Sequence, residues 1–553
     1  MANEATGDQT AAADVTGGAA AVCDLVRSTL GPFGANKLLV TEGGNVVTTS
    51  SGSELVDQLD VEHPTVSLVE TAASGFHGTH ADGAGRVVTL AGALLDEAES
   101  LAAQGLHPTT IERGYDAALE VARNEVDAAA RPLSEAGADA VARTALTDTR
   151  DPGVRDRVGA FLVDVAAELP EAPSGVFYDR KQVKIQSRYG GTQSETELVR
   201  GIVLDHEPLH EGMPRDVSGG VAVVSDTVDL PRFFEGTGDE GEHREKSVSM
   251  TLDSFEDRDA LSKKERETFE SAVRDAVDAG CRVVVTSRGI NDRVHTILSN
   301  HGILAVHQID EEDVARIARA TGTQVVPGFG QVTADTLGSG DAGVRRVSGR
   351  DMTVVESDAG EPVYTLFVRA PDPRTVEAFE RSVRGALADV LSARHTDTVV
   401  PGGGAVEVRA ARAVRAHART ISGAEQLAAE AFADALLVVP RALSANAGID
   451  AWDGVIDLLV AHEAGRDATC VDCLAGTTAD AFEEGIVEPT ALVRDVLAAS
   501  TDLATQILRI DEQVPARKLS PEIEAKERGP PNPDNRRGPT PEHLKGFRES
   551  YGS

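Results

Sequence analysis

The chain has 553 residues, of which 41% are hydrophobic, so it is long enough for several domains that each bury a core. Its 90 acidic and 53 basic residues give a net charge of -37, which argues against a nucleic-acid partner because phosphate neutralisation needs a basic face. A composition with few lysines and many acidic residues is typical of the proteins of a salt-accumulating archaeon. Molar salt shortens the screening length to about 3 Å and makes such self-repulsion tolerable.

The first nine residues are polar and acidic, and no apolar run approaches the roughly 20 residues that cross a bilayer. We therefore expect a soluble, cytoplasmic protein with no membrane partner. Four cysteines in so long a chain do not make a disulfide framework. Cys470 and Cys473 have the spacing of half a zinc site or of a redox pair, but zinc normally needs four ligands. Two reduced thiols are the favoured interpretation.

In chain order, the first part of the sequence is predicted to be helical because apolar residues recur at helical spacing. The predicted helices are 11–29, 65–75, 86–104 and 108–129. Pro108 and Thr109 before an acidic first turn are start signals of the last of these helices. A Gly-Pro turn follows the first helix, and the apolar run 38–40 after it predicts a short strand.

After Leu146 the pattern changes to short β-branched runs separated by helical stretches. Strands are predicted near 183–186, 202–204, 221–224, 282–286, 303–306 and 324–327, and helices near 263–279 and 311–320. This alternation predicts an α/β module. Helices return from Pro371 and continue to Glu512. The order of helix, α/β and helix indicates one domain interrupted by the insertion of others.

Three glycine-rich turns lie far apart in the sequence, at 30–34, 81–85 and 400–405. In the first, Gly31 and Gly34 let the backbone approach a ligand closely, and Pro32 fixes one dihedral angle. Bare backbone amides in such a turn can cradle phosphate. A single Gly-Pro turn is more often simply a turn, but the three together indicate a nucleotide site.

With these turns the sequence resembles the group II chaperonins, the thermosome and its eukaryotic relatives. Family-like blocks follow in order over roughly residues 15–515, and they include 60–64, 104–108, 212–215, 287–292, 446–448, 487–489 and 507–511. The resemblance implies a multidomain α and α/β fold. Its parts would be a helical equatorial domain, a small intermediate domain, and an α/β apical domain with a helical protrusion as a built-in lid.

The implied domain boundaries follow from the order of these blocks. The equatorial domain, for nucleotide and ring contacts, would comprise 1–147 and 399–518, and the intermediate hinge domain 148–206 and 363–398. The apical domain, for client binding, would span 207–362, with the lid near 248–265. Met250, Leu252, Phe255 and Leu261 would supply apolar contacts of the lid, although an ordinary surface connection is the alternative. The proline-rich tail 519–553 is predicted to be disordered, because it buries too little apolar surface.

The resemblance also implies ligands and partners. The cofactors would be ATP and Mg²⁺, with Asp82 as the metal ligand. The implied nucleotide-binding residues are Leu30, Gly31, Pro32, Gly34, Gly83, Ala84, Gly85, Gly402, Gly403, Gly404 and Glu488. The partners would be unfolded protein clients and other chaperonin subunits in a homo- or hetero-oligomeric double ring.

The hydrolytic residues depart from the family pattern, in which three aspartates act on magnesium and the attacking water. Ser51 stands at the first position and Gly385 at the third, so that only Asp82 remains. The threonines that follow Asp82 in the family are replaced here, and the nucleotide-sensing loop is altered to Thr147-Asp-Thr-Arg150. We therefore assign no catalytic residue and expect slow or absent hydrolysis.

Two carboxylates are possible substitutes. Asp389 lies one helical turn from Gly385, about 5.4 Å along the axis, which we expect to be too far for the same water. Glu54 follows Ser51 by three residues and need not point into the same cleft. Arg86 either reaches the γ-phosphate or is a solvated surface arginine.

Two functions are therefore open. The first is a folding-chamber subunit that binds ATP with impaired hydrolysis, and the second is a non-enzymatic structural or regulatory subunit of the same fold. An unrelated small-molecule phosphotransferase is a third and weaker reading, because no catalytic base stands beside the turns.

Overall fold

The structure, a computed structural model, describes residues 17–40, 46–59, 63–169, 182–231 and 255–510. All of these except Ile510 belong to one folded unit. The helices are α1 (17–27), α2 (Gly52–Asp57), α3 (Pro64–His80), α4 (Ala84–Ala103), α5 (Pro108–Ala129), α6 (Leu133–Ala136), α7 (Ala138–Ala145), α8 (Pro152–Glu168), α9 (Phe255–Asp278), α10 (Asp292–Asn300), α11 (Glu311–Thr321), α12 (Pro373–Thr396), α13 (Ala405–Ala418), α14 (Glu425–Leu436), α15 (Val438–Asn446), α16 (Ala451–Glu463), α17 (Ala481–Glu484) and α18 (Thr490–Leu508).

The strands are shorter and are distributed among five sheets. They are β1 (Lys37–Val40), β2 (Val46–Thr49), β3 (Arg131–Pro132), β4 (Val183–Tyr189), β5 (Glu197–Arg200), β6 (Ile202–Leu204), β7 (Asp216–Val224), β8 (Cys281–Thr286), β9 (Leu304–Val306), β10 (Val325–Val326), β11 (Gly338–Val347), β12 (Arg350–Glu356), β13 (Tyr364–Ala370), β14 (Thr398–Pro401), β15 (Thr469–Asp472), β16 (Thr477–Asp480) and β17 (Val487–Pro489).

Helices from both ends of the described chain form one helical layer. Helices α4 and α5 pack against α13, α14 and α18. The apolar stripe of α4 faces this core, because its residues from Val87 to Leu95 are almost all buried. Tyr115 of α5 is fully buried, where its hydroxyl donates to the Leu94 carbonyl at 2.7 Å and its ring meets Phe432 edge-on. The N-terminal helices therefore share a core with helices about 300 residues later in the chain.

A seven-stranded mixed sheet forms the middle of the chain. Its strands run in the order β6-β12-β11-β7-β8-β9, and β10 also pairs with β7. Strands β8 and β10 pair with β7 in parallel, and β9 pairs with β8 in parallel. Strands β11, β12 and β6 form the antiparallel part of the sheet. Helices α9 and α10 pack on one apolar core of this sheet, and α11 packs on the other. Burial on both faces explains why β8 is a continuous apolar run from Val283 to Val285.

A three-stranded sheet, β4-β13-β5, connects this middle part to helix α12. Strand β13 is buried along its whole length, and α12 follows it directly, packing along α7 and α8. Asp372 caps α12 by accepting from two backbone amides of its first turn. Helix α12 then reaches the helical layer, where it contacts α3 and α18. This helix therefore links the β-rich part of the chain to the residues near Asp82.

The predicted α and α/β fold class is confirmed, and most predicted elements are present. Helices α3, α4 and α5 lie where helical periodicity predicted them, as do strands β4 and β6 to β10. Strands β11 and β12 were not predicted, because β11 mixes glycine with charged residues and lacks a β-branched run. The small strands β14 to β17 interrupt a stretch predicted as helical throughout.

Some predictions fall outside the described residues. Residues 232–254, including Met250 and Leu252 of the predicted lid, lie there, whereas Leu261 is on α9. The predicted tail 519–553 is also outside the description. Within the described ranges, no helix is long and apolar enough to cross a bilayer. The domain boundaries remain predictions.

A buried ion network connects the small sheet to α11. The Lys184 ammonium on β4 lies 2.6 Å from Asp313 on α11 and also donates to the Val203 carbonyl at 2.7 Å. Arg316 donates to the same carboxylate at 2.7 Å. The side chains of Lys184, Asp313 and Arg316 are 12%, 6% and 10% exposed, respectively. Water therefore stabilises their charges little, and the charges are stabilised mainly by one another.

We predict that Asp313→Ala lowers the free energy of unfolding by about 3–5 kcal/mol, because it leaves a buried ammonium without its carboxylate. Glu312→Ala is the matched control, since Glu312 contacts the same Arg316 from the surface and should cost at most about 1 kcal/mol. Urea unfolding in molar KCl measures both. Equal losses in the two variants would show that burial of this pair is unimportant.

Candidate functional site

A cavity of about 960 Å³ lies where the three glycine-rich turns converge. Most of the residues singled out in the sequence line it: Leu30, Gly31, Pro32, Gly34, Ser51, Asp82, Gly83, Ala84, Gly85, Gly385, Asp389, Gly403, Gly404 and Glu488. Two others do not. Gly402 lies against β17, with its amide donating to the Ile486 carbonyl at 2.8 Å, and Glu54 is not among the residues that line the cavity. The cavity therefore brings together residues separated by more than 400 positions.

The first turn is held in shape by backbone contacts. The Gly34 amide donates to the Gly31 carbonyl at 2.9 Å, and the Asn446 side chain donates to the Leu30 carbonyl at 2.9 Å. A side chain at Gly34 would overlap the Thr29 carbonyl, so this position needs glycine. The turn is fixed by its own sequence and by α15.

The other two turns each open into a helix N-terminus. Helix α4 begins after Gly83 and α13 after Gly404, and neither N-terminus is capped by a side chain. Gly404 has φ of 82° and lies against Pro440, which leaves no space for a side chain. Uncapped helix N-termini carry free amides and the positive end of the helix dipole. Both helix starts line the cavity and are therefore suited to a phosphate group.

Arg86, in the first turn of α4, lines the cavity but is only 12% exposed, so it is not a solvated surface arginine. Its guanidinium donates to both oxygens of Glu488, at 2.8 and 3.0 Å, and to Glu407 at 3.2 Å. Burial acts to lower the pKa of Arg86, but the two carboxylates outweigh it and hold the pKa above its ordinary value. This fork, the Arg86 guanidinium with its hydrogen bonds to Glu488 and Glu407, ties α4 to β17 and α13. Glu488, which the sequence suggested as a nucleotide contact, thus has both oxygens engaged by Arg86.

Helix α12 lies directly on the Asp82 turn. A Cβ at Gly385 would be 3.3 Å from the Ala81 carbonyl oxygen and 3.4 Å from the Asp82 Cβ. One turn later, the buried Asp389 carboxyl lies close to that of Asp82. Burial, and next the charge of Asp82, raise the pKa of Asp389 well above its ordinary value. Whether Asp389 can reach the attacking water in place of a residue at position 385 stays a prediction.

Ser51 and Glu54 are both engaged in local structure. The Ser51 hydroxyl caps α2 by accepting from the Glu54 amide at 3.4 Å. The Glu54 carboxylate accepts from the Thr49 hydroxyl at 2.5 Å and pairs with Arg381 of α12 at 3.2 Å. Glu54 thus joins the helical layer to α12 instead of facing the cavity.

Asp82 is the carboxylate of this cavity that fits a magnesium ion. It is exposed and lines the cavity, although Ala84 and Gly85 beside it offer no hydroxyl oxygen. In nucleotide sites magnesium is commonly bound by one or two carboxylates together with phosphate oxygens and water. The metal role of Asp82 stays a prediction.

Sequence reasoning missed several cavity residues. Arg155, Arg374 and Arg381 line it, and an apolar wall consists of Val439, Leu443, Val471 and Leu474. Cys473 also lines it, and burial raises the pKa of this free thiol to about 11. Cys470 is a free, buried thiol as well. No local signal marks these residues, because α8, α12, α15 and the region of β15 bring them to the cavity from distant positions.

Comparison with known proteins decides the family. The sequence matches the TCP-1/cpn60 chaperonin family over residues 22–518. The chain belongs to this family. A thermosome subunit of Methanopyrus kandleri is 34% identical over 505 residues, covering 90% of this chain and 91% of the relative. Thermosome subunits 1 and 2 of Haloferax volcanii are 32% and 34% identical, covering 93% and 91% of this chain and 90% and 89% of the relatives. The resemblance to group II chaperonins is confirmed.

We predict that Asp389→Asn stabilises this chaperonin chain at pH 8 and not at pH 4. A raised pKa means that folding holds the proton, so stability is lost as pH rises from the ordinary value through the raised one. Asparagine never ionises and still donates to Asp82. The unfolding midpoint in molar KCl should rise by about 1–3 °C at pH 8, and the gap should close toward pH 4.

Glu377→Gln is the matched control, because Glu377 is an exposed acid on the same helix. It should leave the midpoint unchanged at both pH values. A lower midpoint for Asp389→Asn at pH 8 would contradict the raised pKa of Asp389.

Proposed function

We propose that this chain is a chaperonin ring subunit that assists protein folding, with a site that binds ATP but hydrolyses it slowly or not at all. One observation carries the proposal. The three glycine turns converge on one cavity, while two of the three positions that bear aspartate in the family hold Ser51 and Gly385. The pocket therefore keeps the turns that bind the nucleotide but lacks two of the carboxylates that hydrolyse it in the family.

The binding half of the proposal rests on the walls of the cavity. Two uncapped helix N-termini and the Gly31 turn offer backbone donors for phosphates. Val439, Leu443, Val471 and Leu474 form an apolar surface on which a base could lie. A volume of about 960 Å³ is within the range of small-molecule sites.

The expectation of slow hydrolysis rests on the pKa and the contacts of the remaining acidic residues. A general base must be ionised and within hydrogen-bond reach of the attacking water. Asp389 is buried beside Asp82 and has a raised pKa, and Glu54 does not line the cavity and is paired with Arg381. Neither replaces the missing carboxylates, so slow turnover is expected.

The subunit organisation follows the family pattern. We place the nucleotide site in an equatorial domain of 1–147 and 399–518, the hinge in 148–206 and 363–398, and the client-binding surface in 207–362. The partners would be unfolded proteins and other chaperonin subunits in a double ring, in a salt-rich cytoplasm. The acidic composition supports that setting, since a net charge of -37 repels itself strongly in dilute buffer.

A purely structural or regulatory subunit is the second candidate. The observation in its favour is that contacts within the chain tie α12 and the segment between α7 and α8 to the helical layer. Arg381 pairs with Glu54 at 3.2 Å, and Ser50 donates to Asp148 at 3.2 Å. Such a subunit would follow its ring neighbours instead of cycling by itself.

We predict that the purified chain in molar KCl forms, or joins, a double ring visible by electron microscopy. Dilution into low salt should dissociate it, because the screening length grows from about 3 Å at 1 M to about 30 Å at 0.01 M and unscreened carboxylates repel. Light scattering follows the dissociation, and an uncharged osmolyte at equal osmolality is the control. Monomers alone, both by themselves and with other chaperonin subunits of the same cell, would refute the ring assignment.

A further inference from the structure

The outer face of helix α16 carries a stripe of large apolar side chains. Trp452, Ile456 and Val460 follow one another at intervals of four residues, so they lie on one face of the helix. They are 60%, 51% and 61% exposed. Every other helix in the described ranges has at most one exposed large apolar side chain. We call these three residues the α16 stripe.

Helix α16 does not need this stripe for its own packing. Its opposite face, with Val455, Leu458 and Ala461, is buried and packs on α13, α15 and β15. A helix that is apolar on two faces is typical of one that is covered on both sides. On a chain with 90 acidic residues, an apolar stripe of this kind indicates an interface.

Opposite charges lie at the two ends of the stripe. At its start, the Arg441 guanidinium lies 4.6 Å from the centre of the Trp452 ring. The buried Nε of Arg441 has no hydrogen-bond partner within the described chain. At its end, the exposed acids Asp457 and Glu463 lie three residues to either side of Val460, on the neighbouring part of the same face. The stripe therefore runs from a cation to two carboxylates.

We propose that the α16 stripe binds the α16 stripe of a second copy of this chain, with the two helices antiparallel about a two-fold axis at Ile456. The stripe is symmetric about Ile456, so Trp452 then faces Val460 of the second copy. The same arrangement brings Arg441 to the acidic end of the other stripe. A surface that is complementary to itself in this way is an isologous interface. The inference rests on the proposed ring assembly and identifies one of its contacts.

The size of the stripe fits a contact that is repeated in a large particle. Its three side chains offer on the order of 300 Å² per copy, whereas a stable pair needs about 800 Å² per partner. One such contact is too small to hold two single copies together. Neighbours within a ring meet head to tail, but an isologous contact needs a two-fold axis, which in a double ring lies between the rings. The α16 stripe therefore joins one ring to the other.

The test uses the fluorescence of Trp452, which is the only tryptophan among the 553 residues. In double rings of the parent chain in molar KCl, we expect emission at shorter wavelength and weaker quenching by acrylamide than in Ile456→Asp. This substitution places two carboxylates against each other at the two-fold axis, where they are buried without a partner. Sedimentation velocity should therefore show that Ile456→Asp forms single rings, with half the parental mass.

Val325→Asp is the matched control, because Val325 is 47% exposed and lies on β10 of the seven-stranded sheet. It should keep the parental mass and the parental fluorescence. Equal unfolding midpoints of the three proteins exclude misfolding as the cause of a difference. Should Ile456→Asp unfold, quenching of the parent double ring still decides, with N-acetyltryptophanamide as the fully exposed reference.

Two results would overturn the proposal and leave the ring assignment intact. One is a parent double ring in which acrylamide quenches Trp452 as strongly as it quenches the free analogue. The other is a double ring of Ile456→Asp with the parental mass. Absence of double rings from the parent would overturn the proposed double-ring assembly, and this inference with it.

Discussion

The buried fork of Arg86 is the interaction on which the geometry of the site depends. It holds the start of α4, the strand β17 and the first turn of α13 together through Glu488 and Glu407. Breaking a buried ion pair from one side commonly costs about 3–5 kcal/mol, because the remaining charge loses its solvation. The two helix N-termini that face the cavity are thus fixed relative to each other before any ligand arrives.

The missing carboxylates must be considered in a pocket whose shape is already fixed by these contacts. Gly385 lets α12 lie within van der Waals distance of the Asp82 turn, and Asp389 then reaches Asp82 from the next turn. An aspartate at position 385 would place a second ionised group in that contact. The chain instead has a glycine at this contact, a buried Asp389 whose pKa is raised by burial and by Asp82, and Arg86 paired with two carboxylates.

Much of the fold could be predicted from the sequence, because helical periodicity is a local signal. Helices α4 and α5 show it over 20 and 22 residues, and β8 is an uninterrupted apolar run. Strand β11 was missed because its side chains are small or charged and its pairing with β7 and β12 is set by distant residues. Tertiary contact, and not propensity, determines that strand.

The candidate site could be predicted in outline and not in its electrostatics. The glycine turns are visible in the sequence because their conformations need glycine, whereas the partners of Arg86 are 321 and 402 residues away. No pattern distinguishes that buried fork from a solvated arginine. The same holds for Asp389, whose contact with Asp82 depends on how α12 lies on the turn.

The most direct test of the account is the steady-state ATP turnover of the double variant Ser51→Asp with Gly385→Asp, compared per subunit with the parent at saturating ATP. The account predicts a slow parent and an increase of about a hundredfold or more on restoring the two carboxylates, since one positioned base commonly contributes that factor. Ser51→Asn with Gly385→Asn, equal in size but uncharged, should stay at the parental rate. A parent that already turns over as fast as ordinary chaperonin subunits, and a double variant no faster, would contradict it.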